Sequence, residues 1–285
     1  MNTLSLDRWI GKTEIRHDHV TVPMAERMAA TLDRDDPPPR LGDKLPTGWH
    51  SMLFPRIARR SLVGRDGHPK LGDFLPPMPL PRRMFAGRRT RFIADLLFGD
   101  AVTCTSVIAS ITPKAGKTGP MIFLTLRHSI ASARGLAIVE EQDVVYREET
   151  TATSGVTPTA ARPMDTPRTA RWMREHVADE VTLFRYSALT FNGHRIHYDL
   201  PYVTEVENYP GLVVNGGLTT LYIYELLREH APRPLKTMGT RNLRPMFGNQ
   251  PFTVCVEPGV DASSAALWVI DAQGEKSLEG HCELA

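Results

Sequence analysis

Asn192 and His197, an amide and an imidazole that together could manage a proton and a water, stand five residues apart, with His194 between them and Asp199 just beyond. Imidazole is the side chain best suited to take and return a proton near neutral pH, and an amide or carboxylate beside it can orient the ring or hold the attacking water. Such a pair suits the addition or removal of water. Gly211, Gly216 and Gly217 follow, ahead of an apolar run with Tyr222, Ile223, Leu226 and Leu227. A backbone N–H at the start of a helix can polarise a thioester carbonyl and stabilise the enolate formed when the α-carbon exchanges its proton. A loop histidine taken singly is more often a structural hydrogen-bonder, and glycines before a helix are ordinarily turn residues. The grouping is what points to catalysis.

Other chemistries fit less well. His194, His197 and Asp199 could chelate a cation, but alternation along an extended segment sets His194 opposite the other two, and no further cluster completes a shell. Neither a metal nor a cofactor is expected. There is no GxSxG, Ser187 lacks flanking elbow glycines, and Cys104 and Cys255 sit in strand-like apolar runs where a thiol is inert core. The basic group Arg82, Arg83, Arg88, Arg89 and Arg91 reads either as solvated surface or as a clamp for phosphates and a substrate carboxylate.

The elements that must position these groups are legible in outline. A β-type run over Val181–Leu189, with Leu183, Phe184 and Tyr186, is read as a strand entering the polar loop, and a helix is read from about Gly217 to Glu229. Strands are expected to follow at Thr237–Leu243, Pro251–Glu257, Ala265–Ile270 and Ser277–Glu283. In the first half, residues 1–36 read as charged with one amphipathic helix capped by Thr21 and holding Met24, Met28, Ala29 and Leu32. Residues 37–81 are a long irregular stretch of the kind that lines or covers a site. Four strands should follow at Arg91–Leu97, Ala101–Ile111, Met121–Ser132 and Leu136–Glu148. Thr, Pro and Ala dominate residues 150–169, so the domains are placed at 1–149 and 170–285 with a linker between. Each half shows a helix followed by antiparallel strands, which implies two copies of a small α+β unit.

Composition narrows the function class. The chain has 285 residues, enough for two ordinary domains, and its 23 prolines and 21 glycines favour a turn-rich, β-rich protein over a helical bundle. A formal net charge of +2 gives no field for nucleic acid. No run reaches the ~20 apolar residues of a membrane span, and the charged first residues leave no core for a signal peptide. Three scattered cysteines suit a reducing compartment, and the cytoplasm is expected.

The segment from Tyr186 to Asp199, YSALTFNGHRIHYD, followed by Tyr209 to Val214, YPGLVV, resembles the signature of the MaoC-like hydratase/dehydratase family. The closest likeness is to its double-hotdog group, which contains bacterial mesaconyl-C4-CoA and itaconyl-CoA hydratases and fungal-type 3-hydroxyacyl-thioester dehydratases. Trp49-His50, Asp66-Gly67-His68-Pro69, Phe74-Leu75-Pro76-Pro77, Pro81-Arg82-Arg83-Met84 and the run Gln142–Glu148 look like that group's N-terminal domain. The resemblance implies an α+β double hotdog whose first half is a degenerate copy. It implies hydration of an α,β-unsaturated acyl-CoA, with His197 as acid/base and the Gly216 or Gly217 amide, beside Asn215, facing the thioester. The family motif carries Asp where this chain has Asn192, so Asn192 is assigned to hold water and Asp199 stands as a substitute carboxylate. Arg82, Arg83 and Arg195 are candidates for a substrate carboxylate or the CoA phosphates, which favours a short branched dicarboxylic acyl group of the mesaconyl-C4 or itaconyl type. A fatty-acid 3-hydroxyacyl-thioester dehydratase, a hotdog thioesterase in which Asp199 activates water, and a non-catalytic acyl-binding protein are the alternatives. Monomer and homodimer are both compatible.

Overall fold

A computed structural model describes residues 4–116, 119–148 and 169–285. The first half runs α1 (Leu4–Asp7), β1 (Thr13–His19), α2 (Val22–Thr31), a long irregular stretch, then β2 (Arg82–Phe92), β3 (Ala101–Gly116), β4 (Gly119–Ser132) and β5 (Gly135–Arg147). The second runs β6 (Trp172–Val177), α3 (Glu180–Leu189), α4 (Leu200–Glu205), α5 (Gly216–His230), β7 (Leu235–Asn242), β8 (Pro251–Pro258), β9 (Ser264–Ile270) and β10 (Lys276–Leu284).

All ten strands form one antiparallel sheet in the order β1-β3-β4-β5-β2-β7-β10-β9-β8-β6. From its outer edge inward each half repeats one plan: first strand, a three-strand meander, then the second strand in chain order at the centre. A helix connects the first and second strands in both halves, α2 in one and α5 in the other. This is the expected double hotdog, joined where β2 pairs with β7 through Gly87 opposite Arg241 to Arg91 opposite Thr237.

The two helices differ in burial. Every residue of α5 from Leu218 to Leu227 is buried, whereas α2 buries only Ala25 and Met28. Both belong to one apolar cluster with α3 and the inner faces of both halves of the sheet. The remainder of the first half's core forms around Phe74 and Leu75, which pack on Ile108, Leu124 and Tyr146. The irregular stretch therefore fills space that a longer helix occupies in the second half.

Four local readings are corrected. Val181–Leu189 is a helix, not a strand: the Asp179 side chain caps it by accepting from the Thr182 N–H at 2.8 Å, and Leu183, Tyr186 and Ser187 fall on one buried face. Its β-branched and aromatic composition is outweighed by that cap and packing. Residues 1–36 hold a strand, β1, as well as α2, because the charged alternation in Thr13–His19 suits a half-exposed edge strand. Thr21 sits at the N-cap of α2 without a side-chain bond. The arginine-rich segment is itself strand β2, beginning at Arg82 rather than Arg91, and β5 supplies its counter-ions: Glu140 to Arg88 at 3.2 Å and Asp143 to Arg89 at 2.6 Å. The expected linker lies outside the described residues apart from residue 169. No helix among the described residues is long and apolar enough to cross a membrane.

Candidate active site

The motif loop is built by short-range bonds. Phe191, at φ 52°, turns the chain out of α3, and the Asn192 Oδ1 accepts from the His194 N–H at 3.1 Å, folding the loop into an Asx turn. A single 3-10 turn, Arg195–His197, follows. Asp199 then caps α4 by accepting from the Tyr202 N–H at 3.1 Å, while its other oxygen takes the Arg195 guanidinium at 2.7 Å. These bonds hold the Asp199 carboxyl below its ordinary pKa, the Tyr202 N–H first and Arg195 next. Arg195 lies over the Tyr202 ring at 4.1 Å and donates to the Arg65 carbonyl at 3.1 Å. Both groups are engaged in fixing the loop.

His197 is turned inward, 7% exposed, with Nδ1 at 2.7 Å from the Val213 carbonyl. A carbonyl only accepts, so Nδ1 carries the proton and Nε2 presents a lone pair. Burial pushes its pKa down to about 4, the Val213 bond offsetting only part of this and the His68 charge adding a little more. The ring is therefore neutral at pH 7 and able to act as a base. The Val213 N–H returns a bond to the Ile196 carbonyl at 2.9 Å, tying the imidazole to the strand-like approach of α5.

Two residues on, Asn215 occupies the N-cap of α5 without capping it: it is 2% exposed, and neither its Oδ1 nor its Nδ2 has a partner among the described residues. Gly216 and Gly217 open the helix, where amides have no carbonyl within the helix to bond. The two glycines admit close neighbours. A Cβ on Gly217 would stand 2.4 Å from the Tyr186 hydroxyl, and one on Gly216 would stand 2.8 Å from the Phe85 ring. The start of α5 thus carries a positive helix end and an unsatisfied buried amide two residues beyond the carbonyl that holds the neutral imidazole, groups of the kind that stabilise an enolate and transfer a proton.

The first half adds groups to which the sequence reading gave no role. Asp66 accepts from His68 Nδ1 at 2.8 Å, and the His68 ring lies 4.2 Å from His194, which meets His197 edge-on at 5.4 Å. Burial lowers the pKa of His68 and drives that of His194 further down, where the His68 charge adds to it. The Arg195 N–H donates to the Asp66 carbonyl at 2.8 Å, and Gly67, at φ 92°, lies so near that a Cβ would fall 1.8 Å from the Gly193 carbonyl. Asp66, His68 and His194 offer ligand atoms within 4.8 Å of one another, so these three could gather round a cation. The Asp-Gly-His-Pro run was the signal for this loop; its contact across the two halves has no counterpart in local spacing.

The three candidate arginines separate. Arg82 pairs with Glu207 at 3.0 Å and lies over the Tyr209 ring at 5.0 Å, and Arg195 is held by Asp199. Arg83 has no hydrogen bond or ion pair among the described residues. It lines a cleft of about 370 Å³ together with Asp66, His68, Tyr146, Tyr202 and Glu207. The thiols of Cys104, Cys255 and Cys282 are all buried and raised in pKa by burial, as the sequence reading of core cysteines implies for the first two.

The family model described as hydroxyacyl-thioester dehydratase type 2 matches residues 48–248, from the irregular stretch through the motif loop and α5 to β7. The chain belongs to that family. Within it, the protein is 42% identical over 253 residues to the mesaconyl-C(4)-CoA hydratase of Chloroflexus aurantiacus, covering 89% of each chain. Among solved structures it is similar to HtdX of Mycobacterium tuberculosis, with a TM-score of 0.66 at 15% identity over 96% of this chain and 100% of that one. A second protein of that bacterium, described as having a double hotdog fold, superposes with a TM-score of 0.53 at 12% identity over 97% of this chain and 96% of the other. These likenesses carry the fold, and the family membership carries the class of chemistry.

Proposed function

We propose that this member of the family is an acyl-CoA hydratase that reversibly adds water across the double bond of a short branched dicarboxylic acyl-CoA, of the mesaconyl-C4 or itaconyl type, giving citramalyl-CoA. The observation that supports the chemistry is the placement of His197, a neutral imidazole whose Nδ1 is held by the carbonyl of Val213, two residues before Asn215 at the uncapped start of α5. In this reading the thioester oxygen faces the Gly216 or Gly217 amide, with Asn215 beside it. His197 Nε2 takes a proton from a water held by Asn192 as the water oxygen bonds to the β-carbon. In the conjugated mesaconyl-C4 substrate the double-bond electrons move onto the thioester oxygen, and the resulting enolate takes the proton back from His197 at the α-carbon. Dehydration is the same path reversed, so hydratase and dehydratase names in the family describe one chemistry.

The acyl group is proposed from the 42% identity to a mesaconyl-C4-CoA hydratase, with Arg83 as the unpaired cation that would meet a free carboxylate. Arg82 and Arg195 serve the fold in this account, as does Asp199. With its three thiols buried and apart, the protein is assigned to the cytoplasm, acting on a CoA thioester without a cofactor. The test is a screen of mesaconyl-C4-CoA, itaconyl-CoA, crotonyl-CoA and a long-chain enoyl-CoA, following loss of the enoyl-thioester absorbance for the conjugated substrates and formation of citramalyl-CoA by chromatography for itaconyl-CoA. Fast turnover of the dicarboxylic substrates is expected. Preference for the long chain would move the enzyme to fatty-acid synthesis, and release of free thiol would make it a thioesterase.

A further inference from the structure

The cleft beside the motif loop contains a buried hydroxyl that packing alone leaves unsatisfied. Tyr146, on β5, is 1% exposed, and its phenol oxygen has no hydrogen-bond partner among the described residues. Leaving such a group unpaired costs its desolvation, which a ligand that accepts the bond would recover. Burial raises the phenol pKa, and the nearby Arg83 and Arg56 charges offset only part of that rise, so the hydroxyl keeps its proton and can donate.

Tyr146 stands directly opposite Arg83 in the β2–β5 ladder, and both line the same cleft. Residues so opposed share a face of the sheet, with Cβ atoms about 5 Å apart. Asp66 accepts from His68 at 2.8 Å and Glu207 pairs with Arg82 at 3.0 Å; Asp66 feels the Arg83 charge, but neither carboxylate forms an ion pair with it, which leaves the Arg83 guanidinium donors open to a ligand. Phe85, two residues along β2 on the same face, packs its ring against the start of α5, as the 2.8 Å approach to a Cβ on Gly216 shows. Two residues of strand span roughly 7 Å. In a four-carbon diacyl thioester the free carboxylate lies about 4 Å from the thioester carbonyl, and a charge-assisted hydrogen bond adds about 3 Å. A thioester seated on the α5 amides therefore carries its far carboxylate to the level of Arg83 and Tyr146.

We infer that Arg83 and Tyr146 together form the seat for the free carboxylate of a dicarboxylic acyl-CoA, the guanidinium supplying charge and paired donors and the phenol a further donor. The inference rests on the hydratase reading for the position of the thioester. It makes Tyr146 a specificity residue: a monocarboxylic acyl group leaves the phenol and the cation unpaired, and sites built to bond a polar group reject analogues that lack it.

The test uses the unreactive pair succinyl-CoA and butyryl-CoA, so that binding is read apart from hydration. By titration calorimetry the wild-type protein should bind succinyl-CoA more tightly than butyryl-CoA. Tyr146→Phe should weaken succinyl-CoA about tenfold and Arg83→Gln by more, both leaving butyryl-CoA unchanged. Because the hydroxyl has no partner, Tyr146→Phe should melt no lower than the wild type when ligand is absent. Absence of any wild-type preference for the diacyl ligand, or equal weakening of both ligands in the variants, would overturn the seat. Diacyl preference with the predicted variant effects in a protein that hydrates no enoyl-CoA would uphold it and reject the hydratase reading instead.

Discussion

At the scale of single residues, the account rests on the protonation of His197. Its folded-state pKa of about 4 lies below the ordinary value near 6.5. Between those two values the unfolded chain binds a proton that the native site refuses, so stability should fall as pH drops from 6.5 towards 4 and level off beneath that. Over such a window the contribution is roughly 3 kcal/mol for a fully buried ring. The acid limb of the kcat/KM profile should likewise lie near pH 4 to 5, and a limb at 6.5 would show that the base is a solvated histidine. The sequence singles out this residue as a candidate because its spacing from Asn192 sits within one continuous loop. Asp199 was harder to place, since only the fold shows its carboxylate spent on the Tyr202 N–H and on Arg195. His68 was harder still, because its neighbours His194 and His197 lie in the other half of the chain.

At the scale of elements, α3 leads into the motif loop, and the N-cap of α5 stands two residues after Val213, whose carbonyl holds His197. The run Leu218–Leu227 was readable as a buried helix because it is apolar apart from Thr219, Thr220 and Glu225. Helix α3 was misread because ten residues rich in Val, Leu, Phe and Tyr carry no decisive period, and the Asp179 cap and packing against α2 settle its form. The two helices touch at Gly217, where a Cβ would stand 2.4 Å from the Tyr186 hydroxyl but 3.4 Å from the ring carbon that bears it. Gly217→Ala should therefore displace the helix start, lowering kcat/KM at least tenfold at a stability cost of about 1–3 kcal/mol. Adding Tyr186→Phe removes the clashing atom and should restore much of both, measured by enoyl-CoA turnover and thermal melting. No recovery in the double variant would mean that Gly217 serves some purpose other than this close approach.

At the scale of the whole molecule, the two halves share one sheet and one apolar core. The repeat of helix and strands was visible in the sequence, but the continuous sheet through β2 and β7 and the shared core were not, because pairing between distant strands leaves no local trace. The first half contributes a loop that packs against the motif loop of the second. Gly67 is the point of contact, with φ 92° and a Cβ position 1.8 Å from the Gly193 carbonyl. Gly67→Ala combines a disfavoured backbone conformation with a clash against backbone, so a loss of more than about 3 kcal/mol is expected. Activity should fall with it as the motif loop is pushed away. A variant of wild-type stability and rate would show that the loop of the first half does not brace the site.

The central claim is that His197 moves the proton in hydration of a short dicarboxylic enoyl-CoA. The most direct measurement is the rate of mesaconyl-C4-CoA hydration by His197→Ala against the wild type, with circular dichroism and melting used to establish that the variant is folded. Removal of a general base should lower kcat by roughly 10²- to 10⁴-fold. A folded His197→Ala protein that hydrates the substrate at the wild-type rate would contradict the account.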